Sequence, residues 1–182
     1  MSDNTLMTKV KRGEIEYLGP IFERYHHRLF AFFYRLTQRR DVSEDLVQAV
    51  FERILKYRES FNDEGVFSSW IFGIARNLHF DYHRKQSKES LSLDETDWNL
   101  LPDDRSEINS EQERDQWLVR KALNRLDPDK KQVLILSRYE GMRYKEIAEI
   151  MNCSESAVKV RVFRALDDMK VLITSMRNKE KL

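Results

Sequence analysis

Apolar residues recur every three or four positions along most of the chain, and no stretch alternates apolar and polar residues as a half-buried strand does. Two adjacent apolar rows at helical spacing run through residues 42–55, whereas residues 86–109 carry no sustained period. The pattern predicts an all-α protein. Two small helical domains of about four helices each, residues 1–88 and residues 113–182, are expected to be joined by an extended acidic linker, residues 89–112.

Turn and capping residues predict where the helices of the first domain begin. Gly19-Pro20 interrupts the first helical run, so one helix is expected to end just before this pair and the next to begin at Pro20. Asp41 is the predicted N-cap of a third helix, within a sequence that has capping-box spacing. Ser68 can cap a fourth helix that reaches about Lys85.

The second domain has clearer signals for where its helices begin and end. Ser110 and Glu113 have the spacing of a capping box. Asp127 is followed by Pro128, the arrangement expected of an N-cap and a first helical residue. Gly141 suits the left-handed position that follows a helix.

The strongest local signal is a pair of short helices near the end of the chain. Residues 144–151 and 155–165 each show one apolar face, and the three residues 152–154 separate them. Lys159, Arg161 and Arg164 lie on the second helix only, away from its apolar row. An ordinary helical hairpin is the alternative, but this placement of cations favours a helix-turn-helix whose second helix enters a major groove.

A second signal lies in residues 61–85, where aromatic residues, amides and cations are interleaved. Such a mixture suits single-stranded nucleic acid, whose bases stack on aromatic rings and whose backbone needs positive charge. Several apolar residues at helical spacing are better explained as core: Trp70, Ile71, Ile74 and Leu78. Function is favoured for Asn77, for Arg84 and for the loop before Trp70.

The net charge of +1 hides a strong segregation. Residues 86–116 carry three basic and ten acidic residues, whereas residues 117–182 carry 15 basic and nine acidic residues. Two basic bodies joined by an acidic segment indicate a functional layout, although an acidic linker can also serve solubility alone.

Other classes of protein are disfavoured. The single cysteine excludes an internal disulfide framework and favours a cytoplasmic setting. Neither a signal peptide nor a membrane span is apparent. His79 and His83 share a helix face, but no third ligand or catalytic motif accompanies them, so no metal, cofactor or enzymatic activity is expected.

These motifs, in this order, resemble bacterial sigma factors of the extracytoplasmic-function (ECF) group. Residues 45–53 are similar to the helix with which the family binds core RNA polymerase. Residues 67–77 resemble the segment that melts and reads the promoter −10 element. Residues 126–165 resemble the domain that reads the −35 element. The resemblance covers nearly the whole chain.

The resemblance implies a role for named residues. The implied polymerase contacts are Asp45, Leu46, Gln48 and Phe51. The implied contacts to the single-stranded −10 element are Phe61, Ser68, Arg76, Asn77 and Arg84. The implied contacts to the −35 element are Ser156, Lys159, Val160, Arg161, Phe163 and Arg164. The implied partners are core RNA polymerase, promoter DNA and an anti-sigma factor. Capture of an unstacked base near Phe61 and Asn77 would promote melting without ATP.

The chain departs from the family pattern in places. Ala49 stands where an acidic residue is common, and Gly73 replaces a frequent cation. Arg143 replaces a Ser or Thr cap, and Val160 replaces a common Ser in the reading helix, where it can contact a thymine methyl group or simply pack. The competing hypothesis is a stand-alone helix-turn-helix regulator with an N-terminal sensor or dimerisation domain, for which residues 45–85 would have no role.

Overall fold

The computed structural model describes residues 1–90 and 110–179, and it describes the side chains of 1–86 and 110–179. Within these ranges the chain forms eight α-helices and no strand, four in each half, as predicted. The helices are α1 (Asp3–Lys11), α2 (Leu18–Thr37), α3 (Arg40–Tyr57), α4 (Phe67–Ser90), α5 (Glu111–Asn124), α6 (Pro128–Leu134), α7 (Tyr144–Met151) and α8 (Glu155–Lys179).

The core of the first half lies where α2, α3 and α4 meet. Phe32 and Phe33 of α2, Ile54 of α3 and Phe72 of α4 have no exposed surface. The rings of Phe32 and Phe72 meet edge to face, with centroids 5.4 Å apart. Full burial of such large side chains is the main stabilising contribution to this half.

The predicted starts of α2 and α3 are wrong. The first helix already ends at Lys11, and α2 begins at Leu18, so Gly19 and Pro20 lie inside its first turn. Proline is tolerated there because the first amides of a helix have no intrahelical partner. Asp41 also lies inside a first turn, since α3 begins at Arg40, and its carboxylate pairs with the Arg39 guanidinium.

The start of α4 is fixed by a distant residue and not by Ser68. The Phe67 amide donates to Asn4 Oδ1 of α1 at 3.0 Å, and Asn4 Nδ2 donates to the Gly65 carbonyl. Asn4 therefore acts as the cap of α4 across 63 residues of sequence. The predicted cap at Ser68 was wrong because this partner is not a neighbour in the chain.

The predicted caps of the second half are confirmed. The Glu113 amide donates to Ser110 Oγ at 3.2 Å, and the Ser110 amide donates to Glu113 Oε2 at 3.0 Å. Asp127 Oδ1 accepts from the Asp129 amide at 3.0 Å. Beyond α6 a π-helical segment, Ile135–Tyr139, leads to Gly141, whose φ of +66° is left-handed as expected.

The structure describes only the two ends of the predicted linker. Helix α4 continues to Ser90, and α5 begins at Glu111, so both ends of the predicted range 89–112 are helical. The remainder lies outside the described residues.

The two halves pack against each other. Buried residues of α6, of α7 and of the first half of α8 belong to the same hydrophobic cluster as those of α2, α3 and α4. Helix α4 lies directly against α7. A second, smaller cluster joins α5 to the end of α8 through Trp117, Leu118, Ala122 and Met176.

Candidate nucleic-acid interface

Helices α7 and α8 form the predicted helix-turn-helix. Asn152 ends α7 in a left-handed conformation, with φ of 49°, and Ser154 Oγ accepts from the Ala157 amide at 3.1 Å to open α8. The predicted inner faces are buried, with Ile147 and Val158 fully covered and Val162 2% exposed. A hydrophobic seam and a cap on each side of the turn thus fix the angle between the helices.

Helix α7 begins without a side-chain cap from Arg143, as the sequence predicted. Its first turn is closed by the other half of a capping box, because Glu146 Oε2 accepts from the Arg143 amide at 2.7 Å. The substitution of Arg for Ser or Thr at position 143 is therefore compatible with a defined start of the helix.

The outer face of α8 is accessible. Phe163 is 73% exposed and Val160 47% exposed. Ser156, Lys159 and Arg164 are also exposed, so these five predicted −35 contacts share the solvent-facing side of one helix. An apolar pair beside two cations matches a major groove, which offers thymine methyl groups, base-edge acceptors and phosphates together.

Arg161 differs from the other predicted −35 contacts. Its side chain is half-buried, with Nη1 3.8 Å from Cys153 Sγ and 4.0 Å from Asp129 Oδ2. The guanidinium therefore lies on the side of α8 that faces α6.

The predicted −10 residues are spread over several environments. Asn77 and Arg84 are exposed on α4, and Ser68 is half-buried near its start. Phe61 is only 2% exposed, and its ring meets those of Trp70 and Phe67 at 5.3 Å and 5.9 Å. The structure thus brings Asn77 and Arg84 to one surface of α4. Phe61 lies instead in the aromatic core, beneath the loop that leads into α4.

The core assignments in this segment agree with the sequence. Ile71 and Leu78 are buried, and Trp70 and Ile74 are half-buried against the same core. Gly73 has nothing within 4 Å of the position that a Cβ would occupy, so no tight packing requires glycine there.

Arg76 lies at the contact between the two halves. Burial lowers the pKa of its guanidinium; the nearby Asp129 opposes this shift and Arg161 adds to it. Its planar group stacks on the Phe80 ring, 4.6 Å from the centroid. Arg76 is thus less accessible than the exposed Asn77 beside it.

The predicted polymerase-binding residues divide into an exposed and a buried pair. Asp45 and Gln48 are exposed on α3, whereas Leu46 and Phe51 are 7% and 8% exposed. The Phe51 ring contacts Phe22 of α2 at 4.9 Å, and Phe22 is itself 40% exposed. Sequence reasoning assigned the aromatics of α2 mainly to the core and missed Phe22 as a surface residue beside α3.

His79 is buried at the contact between the halves. Its pKa is lowered to about 4 by burial, with the nearby positive charge of His83 and Lys131 adding to the effect, so the ring is neutral at pH 7. Its Nδ1 lies 3.4 Å from Gln132 Nε2 of α6. No cluster of three metal-ligating side chains occurs in residues 1–86 or 110–179.

Comparison with protein families agrees with this arrangement. Residues 21–89 match the model of sigma-70 region 2, and residues 116–169 match the model of sigma-70 region 4. The first match contains α4 and the second contains the helix-turn-helix, in the order expected of one molecule. The chain is a member of the sigma-70 family of transcription initiation factors.

The relatives define the group within the family. The chain is 29% identical over 177 residues to the ECF RNA polymerase sigma-E factor of Haemophilus influenzae, covering 91% of this chain and 92% of the relative. It is 29% identical over 155 residues to the ECF sigma factor SigX of Bacillus subtilis, covering 80% and 78%. The protein belongs to the ECF group of sigma factors.

Solved structures show the same fold. The sigma factor RpoE, solved in complex with the anti-sigma factor NepR from Bartonella quintana, gives a TM-score of 0.69 at 26% identity, covering 86% of this chain and 96% of that one. CnrH, solved with the cytosolic domain of CnrY, gives a TM-score of 0.73 at 20% identity, covering 95% and 97%. In the described part of the chain no helix is long and apolar enough to cross a membrane.

Proposed function

We propose that the protein binds core RNA polymerase through α3, reads the −35 element with α8 and captures the melted −10 strand with α4. The observation that supports the proposal is that α4 and α8 each carry exposed polar or cationic residues and that each lies in one of the two family-matched regions. The proposed units are residues 1–88 for polymerase binding and −10 recognition, 89–112 for the linker, and 113–182 for −35 recognition.

Helix α8 supports the −35 role through its exposed outer face. Lys159 and Arg164 can bind phosphates or guanine edges, and Ser156 can donate to or accept from either. Val160 and Phe163 add apolar surface beside these groups, which suits thymine methyl groups. Arg161 joins this set when its pairing with Asp129 is released.

Helix α4 supports the −10 role through Asn77 and Arg84. An exposed amide can hydrogen-bond a flipped base, and the exposed guanidinium of Arg84 can bind the adjacent backbone. Binding energy gained only with an unstacked base shifts the duplex toward the open state, so strand separation needs neither ATP nor enzymatic catalysis. Phe61 contributes to the −10 role indirectly, because its buried ring supports the loop that leads into α4.

Helix α3 supports the polymerase-binding role. Asp45 and Gln48 present polar groups to solvent, whereas Leu46 and Phe51 fix the helix on the core beneath them. Phe22 extends this surface with an exposed ring. A polar rim around an aromatic anchor is typical of a specific protein interface.

The proposed setting is the cytoplasm, where core polymerase and promoter DNA are found, and no cofactor is required. An anti-sigma factor is a further proposed partner. The RpoE and CnrH structures were each solved with a second protein, which in the RpoE case is an anti-sigma factor.

Reconstitution with purified core RNA polymerase tests the proposal. The protein is expected to co-purify with the core enzyme and to give run-off transcripts from a promoter that carries both elements. A variant with Asp45→Arg and Gln48→Ala, both at exposed positions, should lose polymerase binding. Its circular dichroism spectrum should remain that of a folded helical protein. Operator binding by the protein alone, without transcripts when polymerase is added, would support the stand-alone regulator instead.

A further inference from the structure

One face of α1 is hydrogen-bonded to the loop that precedes α4, residues 61–66. Three polar residues of α1 lie at helical spacing on this face: Asn4, Thr8 and Lys11. Thr8 Oγ1 donates to Asp63 Oδ1 at 2.7 Å, and Lys11 Nζ lies 3.1 Å from Asp63 Oδ2. Lys11 Nζ also donates to the Phe61 carbonyl at 2.7 Å. The polar face of α1 is therefore matched to the backbone and the carboxylate of a single loop.

Asn4 joins the end of this loop to the start of α4. Its Oδ1 accepts from the Phe67 amide at 3.0 Å, and its Nδ2 donates to the Gly65 carbonyl. One side chain thus holds the last peptide groups of the loop and the first amide of the helix together. Because α4 carries the proposed −10 contacts, Asn4 sets how the loop meets the helix that bears them.

The loop is also closed on itself. The Gly65 amide donates to the Asn62 carbonyl at 2.9 Å, and the Glu64 amide donates to Asn62 Oδ1 at 3.1 Å. A Cβ at position 65 would lie 3.1 Å from the Asn62 carbonyl oxygen, so the turn is tight. The side chains of Asn62, Glu64 and Val66 are exposed. The loop therefore presents these side chains to solvent in a defined arrangement.

Asp63 carries the ion pair of this network. The Thr8 hydroxyl and the Lys11 ammonium lower the pKa of its carboxyl, so the group is ionised at pH 7. A carboxylate without a partner would repel a DNA phosphate, whereas here Lys11 balances the charge. The side chains are 29% exposed for Lys11 and 49% exposed for Asp63, so solvent weakens the pair. The pair therefore contributes more to the orientation of the loop than to stability.

The apolar face of α1 attaches this helix to the core independently of these hydrogen bonds. Leu6 is 3% exposed, and Met7 and Val10 have no exposed surface. Burial of three such side chains stabilises the helix several times more than one partly exposed hydrogen bond does. Removal of a single polar contact should therefore change the shape of the loop and leave α1 in place.

We propose that α1 is a positioning helix for −10 recognition, in which Asn4, Thr8 and Lys11 hold residues 61–66 in the shape that receives an unstacked base. These three residues act through the loop and need no contact with DNA. The inference rests on the proposed function, because it needs the loop and the start of α4 to face the melted −10 strand.

Matched threonine substitutions on α1 test the inference in the holoenzyme reconstituted with core RNA polymerase. Thr8→Val keeps the shape of the side chain and removes the hydroxyl that donates to Asp63. Thr5→Val makes the same change at an exposed residue of α1 whose hydroxyl meets Ser2 instead, and it serves as the control. Thr8→Ser restores the hydroxyl and should restore the function.

A lysine pair gives a second, independent comparison. Lys11→Met removes the ammonium that binds the Phe61 carbonyl and Asp63. Lys9→Met makes the same change in net charge on the same helix, at a residue that pairs with Glu14.

Two steps of promoter binding are measured for each variant. Permanganate reactivity of promoter thymines reports opening, and a gel-shift at low temperature reports duplex binding. Thr8→Val and Lys11→Met should each slow opening between about twofold and about tenfold relative to their controls, the effect of one lost hydrogen bond. Both variants should bind the duplex as their controls do, and Thr8→Ser should open the promoter at the wild-type rate.

Amide hydrogen exchange of the full-length chain reports the shape of the loop directly. Asn4→Ala should raise the exchange rate of the Phe67 amide, which loses its acceptor, while amides in the middle of α2 keep their protection. An unchanged exchange rate at Phe67 would contradict the role given to Asn4.

Equal opening rates within both the threonine pair and the lysine pair would overturn the inference. Equal losses in opening and in duplex binding would also overturn it, because they would indicate a general loss of structure. The wild type separates this failure from failure of the proposed function. A wild type that opens promoters, with no difference within either pair, rejects only the positioning role, whereas a wild type that opens none rejects the proposed function.

Discussion

The two helices proposed to read DNA, α8 and α4, differ in how much of their surface is exposed. The outer face of α8 is open to solvent, with Phe163 73% exposed and Lys159 and Arg164 beside it. Helix α4 is covered along one side, because His79 is buried against Gln132 and Arg76 is half-buried near Asp129. The proposed −35 surface on α8 is thus fully exposed, whereas the proposed −10 surface on α4 is only partly exposed.

The difference follows from what each helix packs against. The inner face of α8 is covered largely by its neighbours α6 and α7, so its outer face stays clear. Helix α4 packs against α3 on one side and α7 on another. Because α4 is packed on two sides, it has less exposed surface with which to bind a ligand.

The largest effect is expected from removing the cations of the open reader. The double substitution of Lys159 and Arg164 by Ala should weaken binding to promoters with a −35 element by about 1–3 kcal/mol for each bidentate pairing with a base that the substitution abolishes. Binding should be measured for the holoenzyme on several −35 sequences at several salt concentrations. If only phosphates are touched, the loss of affinity should be equal for all sequences and the salt slope should fall by about 1 for each residue.

The second-largest effect is expected from lowering the pH, which acts on α4 through its buried residue His79. The pKa of His79 is about 4 in the folded protein and near 6.5 in the unfolded chain, so unfolding binds a proton between these pH values. The folded protein should therefore lose stability as pH falls from about 6.5 to about 4, by roughly 3 kcal/mol at most.

Thermal unfolding of the wild type and of His79→Asn over this pH range measures the effect of His79. Glu140 acts in the opposite direction, because burial raises the pKa of its carboxyl and acid therefore favours the folded protein at this residue. The contribution of His79 is the part of the pH slope that disappears in the variant. Equal slopes in the two proteins would exclude His79 as its source.

A smaller effect is expected at the exposed part of α4. Asn77→Ala should slow open-complex formation by the holoenzyme about tenfold and should leave duplex binding nearly unchanged. The tenfold effect corresponds to the loss of one hydrogen bond to the captured base, worth about 1.4 kcal/mol. Permanganate reactivity of promoter thymines reports opening, and a gel-shift at low temperature reports duplex binding. Equal reductions at both steps would contradict a base-capture role.

The smallest effect is expected at Val160. Its exposed fraction of 47% leaves the side chain accessible, and on the proposed −35 surface we expect it to contact a thymine methyl group. Val160→Ser should reduce affinity by up to about 0.8 kcal/mol, the value of one buried methylene. Replacing −35 thymines by uracil should lower wild-type binding by the same amount and should leave Val160→Ser unchanged.

The sequence predicted best what depends on neighbouring residues. The helix-turn-helix, the capping box at Ser110 and the left-handed Gly141 were all correct, and each depends on partners within a few positions. The local cap predicted at Asp41 was wrong, since α3 begins one residue earlier. The predicted start of α4 was wrong too, because its cap is Asn4. The half-buried state of Arg76 and Arg161 was also not predictable, since it depends on how the two halves pack.

Helix α1 gives the loop before α4 a defined shape. Besides the hydrogen bonds of Asn4, Thr8 Oγ1 donates to Asp63 Oδ1 at 2.7 Å, and Lys11 Nζ donates to the Phe61 carbonyl at 2.7 Å. Ordering a backbone residue costs about 1–2 kcal/mol in conformational entropy, and here that cost is met when the protein folds. If a base binds at this loop as proposed, it meets a preorganised receptor, and residues 1–11 would then support promoter opening without touching the DNA.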